Sequence, residues 1–271
     1  MSITGASKEA TVWQALYRAG VTMFLTWSMV PLTFLFPLID STQPPYVNLA
    51  GGISDIAYWI SLSGSKFGVP FVGVLMLILL VTRSGVKSSR SWKEAGVIIM
   101  VVAVFAGGGA AINEHIVKEE LKIPRPNIMW LAGQDGKGPL GMTAEQFYGL
   151  GDKEDRRAPL TEVLSHAPKP VKLSPAVEAD WIEETGYSFP SGHAFSAMFF
   201  ASFFLALAIT YISTRRILWF YALLPWALAV CYSRPILRVH TPLDITVGGF
   251  QGLVLGVVAW LIVRKLFRRI A

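Results

Sequence analysis

The sequence is poor in cysteine and in charged residues. Its one cysteine, Cys231, means that a single chain can form neither a disulfide framework nor a cysteine-based metal site. Asp, Glu, Lys and Arg make up 15% of its 271 residues, whereas soluble domains carry about 25%. It has no nucleic-acid-binding motif, no internal repeat and no low-complexity segment. These features argue against a soluble domain and against a nucleic-acid-binding protein.

Apolar residues, at 53% of the chain, are abundant and occur in long runs. Runs of this length are typical of membrane-spanning helices. The sequence therefore predicts one all-α integral membrane domain over residues 1–271, built as a six-helix bundle. The predicted spans are about 19–39, 67–82, 95–112, 194–213, 217–232 and 245–263. The first span is too long for a signal-peptide core and no small-residue cleavage site follows it, so we expect it to be retained.

One long polar segment, residues 113–192, separates the third and fourth predicted spans. Eighty residues are too many for a structureless loop in a compact protein. We expect short helices near residues 144–150 and 176–184, joined by turns rich in proline and glycine. The glycine triplet 107–109 lies inside an apolar run, and we expect it to serve helix packing rather than phosphate binding.

The distribution of lysine and arginine orients the predicted spans. These residues cluster in the first tail, in the loop 83–93, at 215–216 and in the last tail, 264–269. With six spans, all four clusters lie on one side, which the positive-inside rule identifies as the cytoplasm. Both termini are then cytoplasmic, and the long polar segment lies on the outer face. This topology also accounts for the formal charge of +6.

The turn between the last two predicted spans contains a histidine and an aspartate at helical spacing. His240 and Asp244 are four residues apart, and Pro242 suits the first turn of a helix. If a helix begins near residue 241, the carboxylate lies over the turn that carries the imidazole. It can then accept one ring N–H and leave the other nitrogen basic. The spacing therefore predicts a histidine nucleophile or base.

Two further polar clusters lie at span ends on the same outer face. Three cations in these clusters and in the turn can donate charge-assisted hydrogen bonds to an anion: Lys118, Arg125 and Arg234. Ser191 is a predicted N-cap of the fourth span, and Gly192 lets backbone N–H groups approach an oxyanion there. His193, beside an anion, can hold a proton for a leaving group. This combination of groups is what phosphoryl transfer requires.

Each cluster also has a structural interpretation. A His-x-x-x-Asp pattern or a Pro-Ser-Gly-His turn can simply cap a helix, and cations beside a span commonly extend to headgroups. A metal site made by His193, His240 and Asp244 is an alternative, but the surrounding cations would repel a metal. An anionic-lipid transporter is another. An oriented imidazole and the near absence of charge within the spans argue against it.

Three motifs together resemble a known family. Lys118-x6-Arg125-Pro126, Pro190-Ser191-Gly192-His193 and Ser233-Arg234-x5-His240-x3-Asp244 match, in order and spacing, the signature of the type 2 phosphatidic acid phosphatase superfamily. The likeness is good from about residue 113 to 250. Through residues 145–148 and 181–190 it is similar to the bacterial phosphatidylglycerophosphatase B subfamily.

The resemblance implies a hydrolase of the bacterial inner membrane that needs no metal or other cofactor and forms a phosphohistidine. It implies that His240 is the nucleophile, Asp244 its orienting partner and His193 the acid that protonates the leaving group. The phosphate-binding residues that it implies are Lys118, Arg125, Ser191, Gly192 and Arg234. The implied fold is a six-helix bundle with its site facing the periplasm. We expect lipid substrates and no nucleic-acid or obligatory protein partner.

Substrate identity is less constrained by the motifs. The resemblance implies removal of a terminal phosphate from phosphatidylglycerophosphate, phosphatidate-like lipids or undecaprenyl pyrophosphate. A lipid A phosphatase or phosphotransferase uses the same intermediate and stays an alternative. Arg238 and Thr241 stand where relatives often have a small residue and an aromatic residue. Arg238 either adds a contact to substrate phosphate or is a solvated surface charge.

Overall fold

A computed structural model describes residues 49–83, 85–165, 169 and 171–270. The regular elements in this part of the chain are helices, which confirms the predicted all-α class. The predicted span 19–39 lies outside the described residues.

The chain folds into a series of helices, some of them only one or two turns long. In order they are α1 Ile53–Ser63, α2 Gly68–Val81, α3 Ser88–Val102, α4 Gly108–Ile112, α5 Lys118–Leu121, α6 Pro126–Ala132, α7 Ala144–Tyr148, α8 Lys153–Ser165, α9 Pro175–Glu183, α10 Gly192–Tyr211, α11 Ile217–Tyr221, α12 Leu223–Ile236 and α13 Pro242–Arg269. A 3₁₀ turn, Gln134–Gly136, follows α6. Two π-helical turns, Ala103–Gly107 and Asn113–Val117, connect α3, α4 and α5 without a break.

Four helical stretches among the described residues are long and apolar enough to cross a membrane. They are Ser88–Ala132, Gly192–Tyr211, Ile217–Ile236 and Pro242–Arg269. These stretches contain or largely cover the four predicted spans that begin at residues 95, 194, 217 and 245. A fifth candidate forms if α1 and α2, which meet at an angle of 59°, make one broken span. The six-helix bundle stays a prediction.

Helix α2 is too short to cross a bilayer alone. Helix α2 has 14 residues, so it is about 21 Å long, whereas the hydrocarbon core of a bilayer is about 30 Å thick. In a single broken span, α1 would supply the remaining length; it packs against α12. At the break, a Cβ on Gly64 would lie 2.3 Å from Cγ1 of Val230 on α12. Glycine at this position therefore permits the contact.

The helical stretch that contains the third predicted span continues beyond the predicted end of that span at residue 112. It remains helical to Leu121, and Lys122 then adopts a left-handed conformation with a φ of 48°. Polar side chains in the added turns find partners, since Asn113 Nδ2 donates to Gln251 Oε1 on α13 at 3.1 Å. Lys118 pairs with Glu114, four residues earlier on the same helix face, at 2.7 Å. These contacts explain why a polar sequence extends an apolar helix.

Helix α10 is central to the bundle and packs along α13. Three glycines of α13 face it at four-residue spacing: Gly248, Gly252 and Gly256. A Cβ on Gly248 would lie 2.4 Å from the Ser191 carbonyl oxygen, and one on Gly252 would lie 2.0 Å from the Phe195 carbonyl oxygen. Small residues at this spacing let helix backbones approach closely. The packing brings the beginnings of α10 and α13 together, and the Ser191 N–H donates to the Asp244 carbonyl at 3.0 Å.

The long polar segment contributes most of a second apolar core, which is separate from the core of the long helices. Helices α7 and α9 fall where short helices were predicted, whereas α6 and α8 were not predicted. Buried side chains of this core include Phe147, Leu160, Trp181, Leu237 and Val239. The indole N–H of Trp181 donates to the Leu237 carbonyl at 2.8 Å. The segment therefore packs directly on the turn that carries His240.

Gly252→Ala tests the close contact between α10 and α13. The added methyl group would force the helices apart, and overpacking of this kind costs roughly 1–3 kcal/mol. We expect a lower melting temperature in detergent. Gly96→Ala is the control, because a Cβ on Gly96 of α3 meets nothing within 4 Å. Equal melting temperatures for the two variants would contradict the packing described here.

Candidate active site

The turn before α13 fixes the position of Asp244. Thr241 is the N-cap of α13 and Pro242 is its first residue, as the spacing predicted. The Asp244 N–H donates to Thr241 Oγ1 at 3.2 Å, and Asp244 Oδ2 accepts from the Thr241 N–H at 2.7 Å. This reciprocal pair is a capping box, which satisfies two backbone donors at the helix start. The carboxylate is therefore held in one orientation.

His240 lies between this carboxylate and an arginine. Its Nδ1 is 3.4 Å from Asp244 Oδ2 and 3.4 Å from Ser188 Oγ, and Ser188 also donates to Asp244 Oδ2. On the other side of the ring, Nε2 is 3.2 Å from a terminal nitrogen of Arg125. A guanidinium group only donates hydrogen bonds, so Nε2 is the acceptor and we assign the proton to Nδ1. The arrangement leaves the Nε2 lone pair directed away from Asp244.

Arg125 connects the long polar segment to the turn before His240. It is 2% exposed. Its Nε donates to the Gly186 carbonyl at 2.8 Å, and a terminal nitrogen donates to the Val239 carbonyl at 3.1 Å. Its other terminal nitrogen pairs with Glu184 Oε2 at 2.6 Å. These bonds fix the guanidinium plane beside His240.

Arg234 reaches the same carboxylate from the last turn of α12. It is fully buried, at 0% exposure. One terminal nitrogen pairs with Glu184 Oε1 at 3.1 Å. The other donates to Ser61 Oγ on α1 and lies 3.8 Å from Asp180 Oδ2. Each oxygen of Glu184 therefore contacts one of the two predicted phosphate-binding arginines.

Of the remaining predicted site residues, some line a cavity and others do not. Lys118, Gly192 and His193 line a cavity of about 690 Å³ together with Arg125 and His240. A Cβ on Gly192 would meet nothing within 4 Å, so there is open space in front of the first turn of α10.

Ser191 and Arg238 do not line this cavity. Ser191 is the predicted N-cap, and its Oγ accepts from the Ala194 N–H at 3.4 Å. Arg238 has a φ of 64° and is 6% exposed, so it is not a solvated surface charge. Its carbonyl accepts from the Asn127 N–H at 2.9 Å. This hydrogen bond ties the start of α6 to the turn before His240.

Burial and neighbouring charges set the protonation of the site. Burial, and then the cations Arg125 and Arg234, hold the pKa of His240 well below its ordinary value, so the imidazole is neutral. Burial acts to raise the pKa of Glu184, but Arg125 and Arg234 outweigh it and hold that pKa well below its ordinary value. Burial raises the pKa of Asp180 to about 6, although Arg234 opposes the shift. At neutral pH the site thus combines a neutral histidine with an ionised Glu184.

The family model described as the PAP2 superfamily matches residues 94–268, more than half of the chain. The chain belongs to the PAP2 superfamily. This finding confirms the family that the three motifs indicated. All three motifs lie within the matched residues.

Two relatives extend the comparison. The chain is 31% identical to phosphatidylglycerophosphatase B of Haemophilus influenzae over 213 residues, which cover 76% of this chain and 78% of that protein. It is also 31% identical to the Escherichia coli K12 protein of the same name over 149 residues. That alignment covers 55% of this chain and 53% of the relative, so it spans about half the length of each protein. The similarity to this subfamily agrees with the sequence-based prediction.

Two residues of this PAP2 site were not among the predicted site residues. Glu184 bridges the two arginines, and Ser188 contacts both Asp244 and His240. Both lie within the sequence stretch that carried the subfamily likeness. Their contacts join residues more than 45 positions apart in sequence. Local spacing therefore carried no signal for them.

Glu184→Gln tests whether this carboxylate competes with a bound anion in the PAP2 site. Removing its charge leaves Arg125 without an anionic partner and leaves Arg234 with only the more distant Asp180 carboxylate, 3.8 Å away. We expect orthovanadate and inorganic phosphate to bind about tenfold more tightly, since a hydrogen bond to a charged group contributes about 1.5–3 kcal/mol. Titration calorimetry in detergent measures this affinity directly.

The matched control is Glu178→Gln, on α9 but outside the cavity lining. Its side chain pairs with Lys169 at 2.6 Å, so this change also removes one ion-paired carboxylate. We expect its anion affinity to equal that of the wild type. Weaker anion binding in Glu184→Gln would show that the carboxylate supports the anion site instead of competing with its ligand.

Proposed function

We propose that this chain is an integral membrane lipid-phosphate phosphatase that acts through a phosphohistidine on His240. The observation that carries the proposal is the orientation of one imidazole. Its Nδ1 side faces Asp244, its Nε2 contacts Arg125, and His240 lines a cavity together with Arg125 and Lys118. A neutral imidazole oriented in this way is a competent nucleophile toward phosphorus. Membership of the PAP2 superfamily and the two phosphatase relatives support the same activity.

The proposed reaction has two displacement steps. In the first, the Nε2 lone pair of His240 attacks phosphorus and the bond to the ester oxygen breaks. His193, which is protonated once the anionic substrate is bound, donates a proton to that oxygen, and the lipid alcohol, or the lipid monophosphate of a diphosphate substrate, leaves. In the second, His193 removes a proton from water as the water oxygen attacks the phosphohistidine. The bond between phosphorus and nitrogen breaks, inorganic phosphate leaves and both histidines return to their starting states.

The cations have a distinct task in this reaction. A phosphoryl group spreads negative charge over three equatorial oxygens in its transition state, and fixed donors stabilise that charge. Arg125, Arg234 and Lys118 supply such donors, and the start of α10 at Gly192 adds a positive helix end. Glu184 now holds both arginines. Substrate phosphate therefore takes over the guanidinium contacts of this carboxylate when it binds.

The substrate is proposed to be an amphiphile with a terminal phosphate, held by an ester bond or, in a diphosphate, by an anhydride bond. The relatives are named for action on phosphatidylglycerophosphate, and we propose this lipid, with phosphatidate-like lipids and undecaprenyl pyrophosphate as further substrates. The cavity lining extends from His240 to Phe67, at the break between α1 and α2. Phe67 and Phe71 are 71% and 75% exposed, so acyl chains can contact their rings. This geometry supports entry of the lipid from the side.

We also propose that the site faces the periplasm of a bacterial inner membrane. His240 directly precedes the capped start of α13, and Arg268 and Arg269 lie in the last turn of this 28-residue helix. A helix of that length is about 42 Å long. The basic end and His240 are therefore at opposite ends of one span. The positive-inside rule puts the basic end in the cytoplasm.

His240→Ala removes the proposed nucleophile. We expect release of phosphate from phosphatidate and phosphatidylglycerophosphate to fall by at least a thousandfold, because no covalent intermediate can form. With substrate radiolabelled in its phosphate, protein labelling that survives base and is lost in acid identifies a phosphohistidine. His115→Ala is the control, because His115 is exposed and outside the cavity lining. Substantial turnover by a correctly folded His240→Ala protein would refute the covalent role.

Metal independence is a separate expectation. The cations around His240 and His193 already supply positive charge for the phosphoryl oxygens and would repel a metal ion. We expect dialysis against EDTA to leave the rate of phosphate release unchanged. The rate is measured before dialysis, after dialysis and after addition of Zn²⁺ or Mg²⁺. Activity lost with EDTA and restored by either ion would overturn this expectation.

A further inference from the structure

One lysine of the cavity differs from the other cations around it. Among the described residues, the cationic side chains that line the cavity are Lys66, Lys118, Arg125, Lys153 and Arg157. Four of them pair with carboxylates: Lys118 and Lys153 with Glu114, Arg125 with Glu184, and Arg157 with Glu154 and Glu183. Lys66 makes no such ion pair with any described residue. Its ammonium lies 5.2 Å from the ring centroid of Phe67.

The position of Lys66 places this charge beyond the proposed phosphoryl position. On α1, Ser61 Oγ accepts from Arg234 and so marks the height of the arginine pair. Lys66 follows five residues later, in the break before α2. Because α1 ends at Ser63, Lys66 lies beyond the helix end, in the 59° bend between α1 and α2. The cavity that Arg125 and Lys118 line is therefore also lined by a second, separate positive charge.

The surroundings of Lys66 suit the boundary between a headgroup and its acyl chains. Ser61 and Ser65, which precede Lys66 in the sequence, line the cavity. Phe67 and Phe71, which follow it, present exposed rings at the start of α2. A glycerophospholipid has the same order of groups, with a polar headgroup, then a phosphodiester, then apolar chains. The phosphodiester of such a lipid would lie at the height of Lys66.

We propose that Lys66 binds a second phosphate of the lipid, the phosphodiester that a glycerol unit separates from the phosphate being removed. This proposal rests on the proposed phosphatase function and deepens it by assigning a specificity-determining residue. Phosphatidate has only the phosphate that is removed and leaves Lys66 without this contact. Lys66 thus favours phosphatidylglycerophosphate over phosphatidate.

A prenyl diphosphate presents its second phosphate differently. Its two phosphorus atoms share a bridging oxygen, so the second group remains close to Arg125 and Lys118 when the first contacts His240. A phosphodiester beyond a glycerol unit extends further along the cavity, toward the break between α1 and α2. The geometry therefore favours the glycerol-separated phosphate as the partner of Lys66.

The test compares kcat/KM in detergent micelles for phosphatidylglycerophosphate, phosphatidate and a prenyl diphosphate. For Lys66→Gln, we expect the ratio of phosphatidylglycerophosphate to phosphatidate to fall about fivefold, the upper range for a solvent-exposed ion pair. The change should lie mainly in KM, because this charge contacts no reacting atom. Lys66→Arg keeps the charge and should restore most of the ratio. Lys137→Gln, an exposed lysine outside the cavity lining, is the matched control.

The outcomes separate the two levels of the proposal. Wild-type phosphate release from phosphatidate tests the phosphatase function alone, and its absence from all three lipids would overturn that function. If the wild type is active, equal losses on all three lipids in Lys66→Gln would overturn the role of Lys66 and assign it to general attraction of anionic lipids. A loss of activity confined to the prenyl diphosphate would overturn the assignment of the glycerol-separated phosphate as the partner of Lys66.

Discussion

The site depends on one carboxylate that bridges two buried guanidinium groups. Arg125 and Arg234 are almost completely removed from solvent, and an unpaired charge in such a place is strongly unfavourable. Glu184 pairs with both arginines through its two oxygens. The arginines can therefore remain charged and oriented before any phosphate arrives. Since a phosphoryl group also accepts such bonds, the proposed binding of substrate exchanges one anion for another instead of burying a new charge.

The ion pairs of Glu184 with the two arginines connect parts of the chain that are distant in sequence. Arg125 and Glu184 lie within the long polar segment, Arg234 lies in the last turn of α12, and Ser61 belongs to α1. The close contact of α10 with α13 sets the other half of the site, because it brings Ser191 against Asp244. Neither the segment nor the bundle alone would position both His240 and the cations around it. The site therefore forms only when the two apolar cores pack together.

The sequence predicted the parts of this arrangement that depend on local spacing. His240 and Asp244 are neighbours because they lie four positions apart at a helix start, and Ser191 is an N-cap beside an apolar run. The same logic located helices for the later spans. It did not predict Glu184 as the bridge, since that contact depends on how distant helix ends meet. It also missed α8, whose charged sequence forms a helix that buries only Arg156, Leu160 and Leu164.

The same cations serve two requirements of the proposed chemistry that would otherwise conflict. A histidine nucleophile must be neutral, whereas its substrate is an anion that needs positive charge nearby. Arg125 contacts His240 Nε2 and, together with burial and Arg234, holds the pKa of the imidazole well below its ordinary value. Asp244 and Ser188 contact the opposite nitrogen, which keeps the lone pair on the cavity side. Positive charge thus keeps the nucleophile unprotonated and binds its target, which explains why the histidine lies beside arginine and faces away from its carboxylate.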